Sequence, residues 1–527
     1  MLPLSPEAID FGTRCSQHAA ATPDRPAVIL ADDTGAETIL TWRELDSQSK
    51  QLATLLRREG VGLDSVLAIA LPTCLQHYAL AIAGWRLGAC ILPLNPDLPL
   101  LERQAILDVV QRWRRLTLIA PWSVPGVAQI GSDRLEHLAD IAPYPSKEVI
   151  PLPGKAIASG GSTGLPKIIV DPKPWAHVPG KWGALSRVGL REAQTQLVVG
   201  SLYHNVGFFL SHVGLFEGHT LVVPRRFNAA LAADLIERHS VQFAGFLPIM
   251  LQRIAKLPDI EKRDFSSFEG LYHSGGACPE WVKRLWLTKV APNKMWELYG
   301  STEECGLVMA NGEEWLERPR SVGRPYHAEV TVLDDEKRPV PPGTVGEIHM
   351  RNTVEATALG EHWPQDPGFQ YVGAPTAKHT DGDFTSVGDL GSLDSEGYLS
   401  LADRRVDLIK SGGINIYPVE IESALSAHPA VQDIVVFGVP DPEWGQRVHA
   451  LVRPTAWPTT LTADELDSFC RERLTAYKAP KTYEFCQVFP RDNSGKIRRS
   501  ALRSERMSGV FPGELLRPTG RAARHNT

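Results

Sequence analysis

A short apolar run, Ala156-Ile157-Ala158, leads directly into Ser159-Gly160-Gly161-Ser162-Thr163-Gly164-Leu165-Pro166-Lys167. No other stretch restricts the fold as much. Its three glycines let the backbone turn tightly and bring N–H groups against an anion, its hydroxyls can bond phosphate oxygens, and Lys167 adds a movable positive charge. These are the properties of a polyphosphate loop. It is not the Walker A pattern, in which the lysine directly follows the last glycine and a Ser or Thr follows the lysine; here Leu165 and Pro166 intervene and Ile168 comes after. Taken alone, the same residues also describe a flexible glycine-serine surface loop.

The surrounding chain supports an α/β fold. PAVIL (26–30) reads as a buried strand and WRELDSQSKQLATLLRREG (42–60) as an amphipathic helix, with Leu45, Leu52, Leu55 and Leu56 near helical spacing. VLAIALP (66–72), AIAGWRLGA (81–89) and CILPLNP (90–96) follow as strand, helix and strand. After a looser stretch near 112–155 the rhythm resumes in QLVVGSLYH (196–204), TLVVPRRF (220–227) and VQFAGFLP (241–248). That alternation predicts a parallel sheet with crossover helices.

At 527 residues the chain exceeds what one hydrophobic core holds, so two or more domains are expected. A net charge of −6 gives no global electrostatic attraction to nucleic acid or to an anionic membrane. The first thirty residues lack a basic start followed by an apolar run, and no stretch approaches about 18 apolar residues, so a cytoplasmic protein without integral membrane association is expected. Seven scattered cysteines with no C-x-x-C pair argue against a disulfide framework and a zinc site.

Five further stretches carry chemistry. SGGACPE (274–280) exposes backbone that can bond the edge of a flat heterocycle, although an ordinary tight turn reads the same way. WELYGSTEECG (296–306) gathers Tyr299 for stacking, Gly300, Thr302 for a phosphate oxygen and Glu303 for Mg2+, a hard cation that usually takes one or two carboxylates beside nucleotide oxygens. SVGDLG (386–391) sets Asp389 between glycines, where a carboxylate can accept from both ribose hydroxyls. LADRRVDLIKSGGINIYPVEIE (401–422) crosses into a second glycine pair, and NSGKIRRS (493–500) holds Lys496 in a turn.

In this order and spacing, the motifs resemble the signature set of the adenylate-forming superfamily, which includes acyl- and aryl-CoA synthetases, stand-alone adenylation domains and beetle luciferases. The resemblance covers roughly residues 10–505. It implies a large N-terminal domain of mixed sheets and helices to residue 402, a hinge at 403–407 centred on Asp407, a small mobile α/β domain at 408–505 and a polar tail at 506–527. It also implies ATP, Mg2+ and coenzyme A as cofactors. By the family pattern, Ser159, Gly161, Ser162, Thr163, Gly164 and Lys167 hold phosphates, and Gly275, Gly276, Ala277, Tyr299 and Gly300 hold the base. Asp389 and Arg404 hold the ribose, Thr302 and Glu303 serve phosphate and metal, and Lys496 bridges the acid to the α-phosphate. Ser411, Gly412 and Gly413 stand at the mouth of the pantetheine channel, Lys410 is a further cofactor-binding residue, and His204 lies near the bound carboxylate or gates the thiol.

Activation as an adenylate answers a chemical need, because charge and resonance make a carboxylate a poor electrophile. The implied partners are a small-molecule carboxylic acid and CoA, with a carrier protein as the rival acceptor, no nucleic acid, and oligomerisation left open. Trp182, Phe208, Phe209, Leu215, Phe246 and Tyr272 suit an apolar acid pocket and equally a core. FAGFLPIM (243–250) has no acidic residue to meet a substrate ammonium, which favours a non-amino acid. The motif wording looks nearest the branch acting on bile-acid, steroid-fragment or carnitine-type acids. Three departures stand out: Gly160 in place of a hydroxyl residue, IVDPKPWAH (169–177) without the usual Thr/Ser-His start, and divergence over 352–385. Loss of one phosphate contact, about 1 kcal/mol, leaves open an enzyme specialised for the thioester half-reaction alone.

Overall fold

The computed structural model describes residues 6–135, 138–145, 148–160, 166–353, 369–373, 384–404, 406–491, 497, 499–508 and 515–518. Among these, the largest sheet has thirteen strands. Its parallel part runs in the order Pro26–Ala31, Thr220–Pro224, Thr195–Leu197, Phe243–Phe246, Gly270–His273 and Met295–Gly300. These strands are apolar on both faces because both faces are covered. Leu221 and Val223 point into one core with Trp182 and Phe208, while Val222 between them points into the other with Leu251 and Trp286. Beyond Met295–Gly300 the sheet becomes antiparallel through Leu307–Asn311 and Ser321–Pro325, and it continues to Asp389–Leu393 and Leu399–Arg404.

The helix Trp42–Arg58 begins with a capping box: the Thr41 hydroxyl accepts from the Glu44 N–H and the Glu44 carboxylate accepts from the Thr41 N–H. Leu45, Leu52, Leu55 and Leu56 are buried, as their spacing predicts. A second, four-stranded parallel sheet holds Ser65–Ile69 between Cys90–Pro93 and Arg115–Ile119. Arg115–Ile119 lies in the stretch that sequence reasoning left irregular, because Trp113 and nearby charges mask a short strand. The helix read at 81–89 spans Leu75–Arg86, starting earlier because the buried His77 and Tyr78 extend its apolar face.

The glycine-rich stretch lies between two strands of a separate three-stranded sheet. Ala156–Gly160 and Pro166–Val170 pair antiparallel, with Ser159 opposite Lys167, and Gln370–Val372 adds a third strand. Lys167 thus stands on a strand. Ile168 and Val170 give that strand its buried face.

A smaller α/β domain follows, with its own core around Ile416, Ile421, Val436, Val452 and Leu466. Its centre is the antiparallel pair Val431–Asp441 and Gly445–Pro454, beside the hairpin Ile409–Ser411 and Ile414–Ile416. Lys256 of the large domain donates to the Ser426 and Val431 carbonyls, and the Trp281 indole donates to the Ser426 hydroxyl at 3.2 Å. No described helix is long and apolar enough to cross a membrane.

Candidate active site

The carboxyl ends of parallel strands are where open α/β sheets leave a crevice for ligands. Here the strand Gly270–His273 leads into Gly275, Gly276 and Ala277, and Met295–Gly300 leads into Thr302 and Glu303. Gly275 has φ +80°, a conformation that admits glycine at no steric cost, and a Cβ there would lie 2.9 Å from Leu247. With Gly276 and Ala277 it forms an exposed turn whose backbone is accessible.

The centre of the site is a three-residue contact. Lys167 Nζ donates to Glu303 Oε1 at 3.2 Å and to the Tyr371 hydroxyl at 2.8 Å, and the Tyr371 O–H donates to the same Glu303 oxygen at 2.7 Å. Lys167 also sits 4.0 Å from the Tyr371 ring centroid. Burial alone would raise the Glu303 pKa, but the Tyr371 hydroxyl and Lys167 outweigh it and keep the carboxyl below its ordinary range. An ionised carboxylate beside a lysine suits Mg2+ shared with phosphate oxygens. No cluster of three or more His, Cys, Asp and Glu able to hold a metal occurs among the described residues.

Tyr299 donates its hydroxyl to Asp389 Oδ2 at 2.9 Å, linking the residue expected against the base to the one expected on the ribose. Asp389 pairs with Arg404 across two antiparallel strands, so the ladder itself brings them together. Asp407 accepts from Arg499 Nη1 at 3.3 Å, and Arg499 Nη2 bonds both Glu422 oxygens at 2.7 Å. Gly412 and Gly413 form the turn between Ser411 and Ile414, with φ +57° and +80°, both positive as a two-residue type I′ hairpin requires. Gly412 packs on Trp444, where a Cβ would stand 2.6 Å from the indole. Lys410 is exposed on the adjoining strand.

His204 immediately precedes the helix Asn205–Phe216, half-buried, with its ring tilted 57° against that of Tyr203 at 4.6 Å. Of the candidate pocket residues, Trp182, Phe208, Leu215, Phe246 and Tyr272 are packed into the two cores; Trp182 donates to Glu217 and Phe246 packs on Trp286. Phe209 alone of the six is half-buried, beneath Lys155 Nζ at 4.6 Å. Gly161, Ser162, Thr163, Gly164 and Lys496, and the side chains of Ser159 and Arg404, lie outside the described residues.

Sequence reasoning missed Tyr371, Trp444 and a buried charge cluster. Lys155 Nζ donates to Asn205 Oδ1 at 2.9 Å and to Glu304 Oε1 at 3.4 Å, and Lys173 Nζ lies 3.6 Å from Glu304 Oε2 and 3.9 Å from Asp171. Burial works against the Glu304 charge, yet Lys155 and Lys173 hold its pKa below the ordinary value; burial and then Glu304 push Asp171 up. The one available signal was the departure at 169–177, which carries Asp171 and Lys173.

The chain is similar to known proteins along most of its length. A family model described as AMP-binding enzyme matches residues 15–140 and 156–358, and its C-terminal domain model matches 420–496. The 2-succinylbenzoate–CoA ligase of Bacillus licheniformis is 30% identical over 510 residues, covering 94% of this chain and 100% of that one. A fatty acid–[acyl-carrier-protein] ligase, ScoC of Streptomyces coeruleorubidus, is 28% identical over 93% of this chain and 95% of its own. The solved o-succinylbenzoate CoA synthetase (MenE) of Bacillus subtilis, in complex with its acyl-adenylate intermediate, superposes with a TM-score of 0.75 at 26% identity, covering 95% of this chain and 99% of that one. None of these three is named for a bile-acid, steroid or carnitine-type acid. With both domain models matched between residues 15 and 496, the chain belongs to the AMP-binding enzyme family.

Proposed function

We propose that the Lys167–Glu303–Tyr371 contact is the phosphate and metal end of a site that activates an apolar, non-amino carboxylic acid. The chain is an AMP-forming acid–thiol ligase, an acyl-CoA synthetase using ATP, Mg2+ and coenzyme A. In the first half-reaction the acid's oxygen attacks the α-phosphorus, forming an acyl-adenylate and releasing pyrophosphate. In-line displacement of this kind needs positioning and neutralisation of oxygen charge more than covalent help. Lys167, Ser162 and Thr163 bind the outer phosphates, Glu303 holds Mg2+, and Asp389 holds the ribose in company with Tyr299 and Arg404. Lys496 spans the substrate carboxylate and α-phosphate.

In the second half-reaction the thiol attacks the adenylate carbonyl and AMP leaves. Gly412 and Gly413 border the path of the pantetheine arm, and Lys410 flanks it. His204 stands at the substrate carboxylate. The small domain turns about Asp407, within 403–407, to exchange Lys496 for the glycine turn. An apolar, non-amino acid is supported by the absence of any acidic residue in 243–250 and by the half-buried Phe209 against Trp175 and Trp182. CoA is the acceptor; a relative named for an acyl-carrier protein makes a carrier thiol the second acceptor to test. We place the enzyme in the cytoplasm, in keeping with seven free cysteines.

The observation that carries this reading is the lysine–glutamate–tyrosine contact at the carboxyl end of the sheet. Its test is ATP–pyrophosphate exchange over a panel of acids, without CoA, with Lys496→Ala alongside. Exchange driven by one class of acid and lost in the variant is expected. Thioester formation from supplied adenylate without any exchange would instead assign the chain to the second half-reaction alone.

A further inference from the structure

Glu303 and Glu304 are adjacent and line one cavity, yet their side chains pair with different lysines. Glu303 meets Lys167 and Tyr371, and Glu304 enters the buried pair Lys155 and Lys173. The division is built into the backbone. Glu304 has φ +52°, in the left-handed region, where a non-glycine residue persists only if its surroundings over-determine it. Three contacts do so. The Glu304 N–H donates to the Ser301 carbonyl at 3.1 Å, the Glu304 carbonyl accepts from Asn352 Nδ2 at 2.7 Å, and the carboxylate faces the two lysines.

The lysines have strong reason to keep that carboxylate. Their side chains are 4% and 8% exposed, and buried ammonium groups require paired anions. Asp171 supplies one, at 3.9 Å from Lys173, while Lys155 meets Asn205 and Glu304. Turning Glu304 outward would therefore strip Lys155 of its carboxylate. Were the release to come by rotation of the backbone at Glu304, Glu303 would be displaced from Lys167 as well, because the two residues are consecutive.

We propose that Glu304, clamped by Lys155 and Lys173, is a positioning residue that selects which of two neighbouring carboxylates faces the metal and nucleotide. The inference rests on the reading of Glu303 as the Mg2+ carboxylate. Through Asn205 the clamp also reaches the first turn of the helix that follows His204, so the acid side and the metal side of the site share one buried support. IVDPKPWAH, the segment without the expected Thr/Ser-His start, supplies Asp171 and Lys173 to this support.

The test uses the full chain with Mn2+ and ATP as probes and no acid, so that nothing turns over. Water-proton relaxation measures the dissociation constant of Mn2+ from the enzyme–ATP complex in the parent, Glu303→Gln and Glu304→Gln. Glu304→Gln is expected to weaken Mn2+ by about tenfold or more, and in turnover to raise the KM for Mg2+ while kcat at saturating metal stays within about threefold. Glu303→Gln is expected to weaken Mn2+ at least as much. Parental Mn2+ affinity in Glu304→Gln, with Glu303→Gln impaired, overturns the clamp alone; parental affinity in Glu303→Gln overturns the metal assignment beneath it. If Glu304→Gln does not fold, Lys155→Gln with Glu304→Gln keeps the cluster's net charge and replaces it. Weakened Mn2+ binding in that pair supports the clamp, and parental binding refutes it.

Discussion

Replacing Lys167 by methionine keeps the unbranched apolar stem, one atom shorter, and removes the charge. In the structure Lys167 Nζ is 3.2 Å from Glu303 Oε1 and 2.8 Å from the Tyr371 hydroxyl, with 22% of the side chain exposed. That exposure leaves the ammonium open to an incoming phosphate, and it limits what the ion pair adds to folding to about 1 kcal/mol or less. The effect on catalysis is larger. A hydrogen bond between charged groups contributes about 1.5–3 kcal/mol, which at about 1.4 kcal/mol per decade is a loss of about 10- to 150-fold in kcat/KM for ATP. The assay is ATP–pyrophosphate exchange with the best acid of the panel, paired with thioester formation from synthetic acyl-adenylate and CoA. Exchange should fall by that factor, while the thioester step, which involves no outer phosphates, should stay within about threefold. A loss in exchange smaller than about threefold, or an equal loss in both steps, would refute the assignment of Lys167 to the phosphates.

Two further outcomes follow from the same geometry. Gly413→Leu should reduce thioester formation at least about tenfold with adenylation within about threefold, because a Cβ there meets no atom within 4 Å and the φ of +80° strains only the hairpin turn; equal loss in both half-reactions would mean a misfolded domain. Acid should unfold the large domain between pH 6.5 and 4: burial lowers His77 and His177 to about 3, and His212, His219 and His273 to about 4. Below about pH 6.5 the unfolded chain takes up protons that the folded chain refuses, so stability falls as pH falls, by about 1.4 kcal/mol per unit for each such histidine. Urea midpoints across that range check it, and a flat profile would contradict the buried neutral imidazoles.

Much of the site was legible because its chemistry is local. Gly275, Tyr299, Thr302, Glu303 and Asp389 each sit in a short motif whose residue types already imply a turn, a stack or a ligand, and the structure places them at strand ends or in the turns that follow. The paired glycines at 412 and 413 likewise announce a hairpin turn by their freedom to take positive φ. Tyr371 was not legible: it falls in the divergent stretch 352–385, where no motif assigns it a role, and it reaches Lys167 through a strand that pairs across 204 residues. The aromatic residues from Trp182 to Tyr272 show the opposite failure. An apolar ring suits a pocket wall and a core equally, and only the packing of the helices on the sheet sent five of the six into the core.

By itself, the amino-acid sequence determined the fold class, the order of the ligand-binding turns and the family, since backbone freedom, apolar periodicity and residue chemistry act over a few neighbouring positions. Tertiary structure alone decided that the glycine-rich stretch is flanked by two antiparallel strands, that Lys167 stands on a strand opposite Ser159, and that Glu304 meets Lys155 and Lys173 while Glu303 meets Lys167. Lys155 and Glu304 are 149 residues apart. Whether two such charges meet depends on which strands the sheets bring side by side, and in a buried, weakly polarisable interior that meeting dictates where each carboxylate must point.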